Sequence, residues 1–182
     1  QPAEALSAID AAASVVGRLS SLEWPDQHPL LGGRHAVVYK MRFEPVAPHT
    51  LPSHAYMAID RRLLPGDDPA AATDEVRAAI GDLAPYRVNV SQGVTMLPAL
   101  VDPADPGVVA LASAHQAVTG VPPSTHYGQG SFDAGGPCAR GVPTVMYGAG
   151  GGVGLTGTDF VPISMVEQEA RVLATLILNQ LG

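Results

Sequence analysis

Residues 35–64 read "HAVVYKMRFEPVAPHTLPSHAYMAIDRRLL". Two stretches rich in β-branched and aromatic residues flank a segment carrying Pro45, Pro48 and Pro52. A proline has no N–H to give a sheet ladder, so the stretch reads as strand, break, strand. In the first strand Val38, Lys40, Arg42 and Glu44 alternate with Val37, Tyr39, Met41 and Phe43, the period of a half-buried sheet face. The turn sequence "PGDDP" at residues 65–69 ends the second.

Working outward, helices flank this pair. "EALSAIDAAASVVGRLSSL", residues 4–22, spaces Leu6, Ile9, Ala13, Val16 and Leu19 three or four apart, an amphipathic helix. A second helix is predicted over 70–83, with Val76, Ile80 and Leu83 on one face. Asp67, Asp68, Asp74 and Glu75 sit near its N-terminus, where the helix dipole favours anions. "YRVNVSQGVTMLPAL", residues 86–100, reads as a third strand. Helix, strand, strand, helix, strand is a ferredoxin-like split βαβ unit without its first strand.

After residue 100 the pattern changes. Residues 102–120 predict a helix stopped by Gly120. Residues 121–141 read as loop and short helix, and "VPTVMYG", residues 142–148, as a buried strand. A closing helix follows, with Ser164 as N-cap and Glu167 completing a capping box. The fold class is α/β (α+β), with one domain over 1–100 and a second over 101–182 that looks like the end of an α/β domain.

Composition narrows the function. The 182 residues carry a net charge of −7, with one lysine, Lys40, and no Lys/Arg run, which argues against nucleic acid. A single cysteine, Cys138, excludes an internal disulfide. No apolar stretch has the length of a membrane span and Gln1-Pro2-Ala3 is no signal peptide, so the expectation is a cytoplasmic protein without a membrane partner.

The glycine-rich segment 148–154 follows an apolar run, as dinucleotide loops do. Gly148 and Gly150 supply G-x-G, but Val153 stands where the third glycine or alanine belongs, and no helix starts at the loop. The six histidines (His28, His35, His49, His54, His115 and His126) show no zinc-ligand spacing, and most of them read as surface or loop residues. Ser131 has no base beside it in sequence, so no nucleophile is assigned. Cys138 reads as a small buried residue, and Arg62 as a strand arginine paired with Asp60 or Asp67 or as a carboxylate-binding group.

"GQGSFDAGGPCARGVPTVMYGAG" and "TDFVPISMVEQEARVLATLIL", with "APHTLPSHAYMAID" and "AIDRRLLPGDDPAAATDEVRAAI" before them, together resemble the zinc aminoacylase, carboxypeptidase G and succinyl-diaminopimelate desuccinylase family of metallopeptidases. Asp60, Arg62, Pro65 and Gly66 are in register with the family's lid signature, and Gly141-Val142-Pro143-Thr144-Val145-Met146-Tyr147-Gly148 is similar to its late strand and loop. The resemblance implies a ferredoxin-like lid (dimerisation) domain followed by the C-terminal segment of an α/β metallopeptidase catalytic domain. It implies a substrate-binding rim of His49, Arg62, Gly148 and Gly150, and a structural role for Asp133 in shaping its turn.

The departures matter as much. The family's N-terminal metal ligands and its Glu-Glu pair have no counterpart in these residues, and Leu155 stands where the family's last metal-binding His should fall. The expectation is therefore no catalytic and no metal-binding residue in this chain, and no cofactor of its own, zinc belonging to the parent enzyme. The leading reading is the lid, dimer contact and cleft rim of a hydrolase of N-acyl amino acids or small peptides, a homodimer through the lid or a piece of the parent. The alternative is a non-catalytic binding or assembly module descended from such an enzyme.

Overall fold

The structure, a computed structural model, describes residues 5–128, 132–148, 150, 152–153 and 159–182. The chain forms two compact units, Gln1–Thr95 and Met96–Gly182.

In the first unit, helix α1 (Ala8–Ser20) starts at Ser7, whose hydroxyl accepts the Ile9 N–H at 3.2 Å. Its buried face is Ala8, Ala12, Val15 and Leu19, not the stripe of Leu6, Ile9, Ala13 and Val16; Leu6 and Ile9 are exposed. Both stripes end on Leu19, and the chosen one carries alanines that let the helix lie close to the sheet.

A two-rung ribbon of β1 (Gln27–His28) and β2 (Gly32–Gly33) leads into the long hairpin of β3 (Ala36–Glu44) and β4 (His54–Arg61). The hairpin is antiparallel, from Ala36↔Arg61 to Glu44↔His54, with a bulge between Val38 and Lys40. The bulge corrects the simple alternation of β3. Tyr39 is the extra residue, so Val38 shares a face with Met41 and Phe43 while Lys40, Arg42 and Glu44 turn to the other. Strict alternation would have placed Val38 beside two cations.

Helix α2 (Pro69–Ile80) begins with Asp68 capping the Ala70 N–H at 3.0 Å and Pro69 in the first turn. Val15, Leu19, Val76, Ile80 and Leu83 form the core, and Ala36, Val38, Met57, Ile59, Tyr86 and Val90 close over it from the hairpin and the segment after α2. Arg18 fastens the two helices, its Nη1 donating to the carbonyls of Ile80 and Asp82.

The third strand expected over 86–100 is not there. That segment makes no ladder; Tyr86 and Val90 reach the core, but Val94 is 99% exposed. Val88, on the same side of the alternation as Tyr86 and Val90, is exposed, so the apolar pattern is not matched by burial. Among the described residues the hairpin is therefore a two-stranded sheet with both outer edges open.

In the second unit, α3 (Pro106–Thr119) is capped by Asp105 and stopped by Gly120. Gly120 has φ of 79°, the left-handed turn that glycine adopts without steric cost. Helix α3 packs on α5 (Ile163–Leu181) through Ala114 and Val172, both fully buried. The one-turn helix α4 (Gly135–Cys138) starts at a glycine because any Cβ there would strike the Leu97 carbonyl. Backbone pairing of β5 (Gly152–Val153) with β6 (Asp159–Phe160) precedes α5.

Two further expectations fail here. Residues 142–148 are not a buried strand: no ladder forms, and Val142, Val145 and Met146 are exposed. An apolar run signals burial only when neighbouring strands cover it, and among the described residues none pairs with it. Helix α5 is not capped by Ser164. Its N-cap is Pro162, whose carbonyl accepts from Met165 and Val166, so Ser164 already lies inside the first turn.

The core of the first unit is small enough for one truncation to matter. Ile80→Ala should lower unfolding free energy by about 2–5 kcal/mol, read as an earlier urea midpoint in Trp24 fluorescence; an unchanged midpoint would remove Ile80 from the core.

Candidate functional site

The β3–β4 hairpin distributes the lid residues. His49 lies in the loop 45–53 between the strands, exposed, with φ of 57°, the one non-glycine residue of positive φ among those described. Histidine enters this region more readily than most residues, and such an outlier on a loop is a pointer to function. Arg62 follows β4 at the far end of the hairpin. Its backbone N–H donates to His35 at 3.0 Å and its Nη2 meets Asp60 Oδ2 at 2.8 Å. With eight residues in β4, at about 3.3 Å each, His49 and Arg62 stand on the order of 25 Å apart within one chain. One protomer does not bring them together.

Gly148 and Gly150 belong to the second unit and run beside α5. A Cβ on Gly150 would come within 3.2 Å of Met165 Cε, and one on Gly148 would lie 4.0 Å from Glu169 Oε1. Asp133 is exposed in the turn that enters α4. Cys138 is half-buried, its thiol against the Thr144 carbonyl at 3.5 Å. Ser131 and Leu155 lie outside the described residues.

Three groupings escaped the sequence. Arg34 forks Asp67, with Nε to Oδ2 at 2.9 Å and Nη2 to Oδ1 at 2.5 Å, and its Nη1 reaches Asp26 at 2.9 Å. The guanidinium, with the Leu64 N–H second, holds the Asp67 carboxyl below its ordinary 3.8 against the opposing effect of burial. Arg61 lies 4.3 Å over the Trp24 ring and binds Glu75 at 2.6 Å. Arg34 borders an open pocket of about 400 Å³, lined also by Trp24, Asp26 and Glu75, among others.

In the second unit His115 is no surface histidine. Its Nδ1 is 2.9 Å from the Tyr147 hydroxyl, and the rings meet edge to face at 5.9 Å. Burial, and then the nearby Glu169 charge, push the Tyr147 hydroxyl above its ordinary value. Pairs such as Arg34–Asp67 and His115–Tyr147 are more than thirty residues apart in sequence and leave no local signal.

The residues present do not compose a zinc site: among the described residues no three His, Cys, Asp or Glu side chains converge to hold a metal ion. No helix among them is long and apolar enough to cross a membrane.

Helix, hairpin and helix over the first ninety residues define a small α+β domain. Residues 1–88 match the family of the peptidase dimerisation domain of M20 type. This supports the M20 metallopeptidase family in general, with the ferredoxin-like lid at the N-terminus and no choice among its subfamilies. No curated protein matches the chain.

Asp67 gives a pH test. A carboxyl held below its unfolded value contributes stability above that value and loses it as pH falls through the folded one. Asp67→Asn should thus cost about 1–3 kcal/mol near pH 7, with the difference from wild type shrinking below about pH 4. Urea titrations of both proteins at the two pH values measure it; a pH-independent gap would assign the loss to packing.

Proposed function

We propose that this chain supplies the lid, dimer contact and cleft rim of a hydrolase of the aminoacylase, carboxypeptidase G and succinyl-diaminopimelate desuccinylase type, acting on N-acyl amino acids or small peptides in the cytoplasm. The observation that carries this reading is the peptidase dimerisation domain over residues 1–88, built on a hairpin whose outer edges are open. His49, Arg62, Gly148 and Gly150 are its substrate-facing residues, and Asp133 shapes a turn.

The opposite ends of the hairpin fit a homodimer. When two copies pair edge to edge about a two-fold axis, their strands run antiparallel, and the loop end of one copy meets the Arg62 end of the other. A rim shared in this way reunites His49 with the partner's counterpart of Arg62. Zinc, in such an enzyme, activates the attacking water; the described side chains here do not fit it, and no step is assigned through it. A non-catalytic module of the same descent is the second reading, favoured by Leu155, whose side chain has no lone pair for a metal.

Light scattering should return twice the 18.7 kDa of one chain, falling on dilution. A concentration-independent mass of one chain would end the dimer reading. Purified protein should carry less than one zinc per chain and leave N-acyl amino acids intact; stoichiometric zinc by metal analysis would overturn the assignment of the metal site to other residues.

A further inference from the structure

The outward face of the hairpin carries a grouping that the lid assignment does not use. Because Met57 and Ile59 face the core, His54, Tyr56 and Ala58 face away, and the register sets them opposite Glu44, Arg42 and Lys40. The Arg42 guanidinium lies 4.1 Å over the Tyr56 ring, and the His54 ring stacks beside Tyr56 at 6.4 Å between centroids. Ser53 Oγ, 2.9 Å from His54 Nδ1, holds that ring in place.

Arg42 differs from the other arginines that the fold fixes in position. Arg34 spends donors from Nε, Nη1 and Nη2 on Asp67 and Asp26. Arg61 is enclosed by Trp24, Glu75 and the Arg62 carbonyl. Arg42 makes one hydrogen bond, Nη1 to Glu44 Oε1 at 2.7 Å, and among the described residues its Nε and Nη2 have no partner. The Arg42–Glu44 pair is exposed on both sides, 60% and 47%, where an ion pair contributes little and exchanges easily. A guanidinium oriented by a ring beneath it, with its Nε–Nη2 edge open, has the geometry that forks a carboxylate. Lys40, one register step along the same face, adds a second positive charge in a chain of net −7.

We propose that this face binds a carboxylate through Arg42, with Tyr56 and His54 as the floor for an apolar or aromatic group attached to it. The inference rests on the hairpin alone and stands or falls apart from the peptidase reading.

The test is an NMR titration of the full chain with N-acetylphenylalanine and, separately, its carboxamide, following the Tyr56 ring resonances. The carboxylate should shift them and the carboxamide should not. Arg42→Lys keeps the charge and loses the fork, and should weaken binding about tenfold or more. Arg42→Gln should remove binding, and Glu44→Gln, by deleting the competing internal carboxylate, should strengthen it. Side chains this exposed are replaced without unfolding, which circular dichroism of each variant checks. Equal titration of Arg42→Lys, Arg42→Gln and wild type, equal response to the carboxamide, or loss only in Arg62→Lys would each overturn the assignment.

Discussion

A two-stranded ribbon is marginal in water because its single hydrophobic face has nothing to lie against. In this protein that face is covered by α1 and α2, and everything else in the first unit depends on the contact. Val15 and Leu19 from one helix and Val76 and Ile80 from the other meet above Val38, Met57 and Ile59. The helices are tied to each other by Arg18 at the end of α2, a cation placed where the last carbonyls of a helix gather negative charge. Among the described residues no further strand pairs with either edge of the hairpin.

Charge organises what the core does not reach. The connector between α1 and the hairpin is pinned by Arg34 to Asp67, just ahead of α2, and Arg61 fixes Trp24 against β4 while reaching Glu75 on α2. These partly shielded pairs hold loops whose backbone has little regular hydrogen bonding. Arg42, pointing the other way, is held only by a ring and one exposed carboxylate. The same residue type thus serves as a rivet on one face and as a free hand on the other, and the difference lies in how many of its N–H groups are already engaged.

Much of the fold was legible because its cues are local. The acids Asp67 and Asp68 mark the approach to α2 and Gly120 the end of α3, since a helix end is decided within a few residues. The two strands of the hairpin were readable from their composition and from the prolines between them. What could not be read is non-local. The apolar runs at 86–100 and 142–148 look alike whether or not another strand lies alongside, and here none does among the described residues. The buried stripe of α1 was misplaced because two overlapping stripes meet the same spacing rule, and only the sheet beneath chooses between them. For the site, the sequence and its family resemblance singled out His49 and Arg62 by position. That they stand at opposite ends of the hairpin follows from the strand between them, which the sequence already contained.

The bulge at Tyr39 divides β3 into two half-strands of opposite phase. Removing that residue would leave Val38 next to Lys40 and restore a regular ladder, with Met41 and Phe43 still on the face of Val38 and Lys40 and Arg42 still on the other. The bulge is thus the place where β3 carries a spare residue: the strand could lose it there and still present the same side chains to α1 and α2.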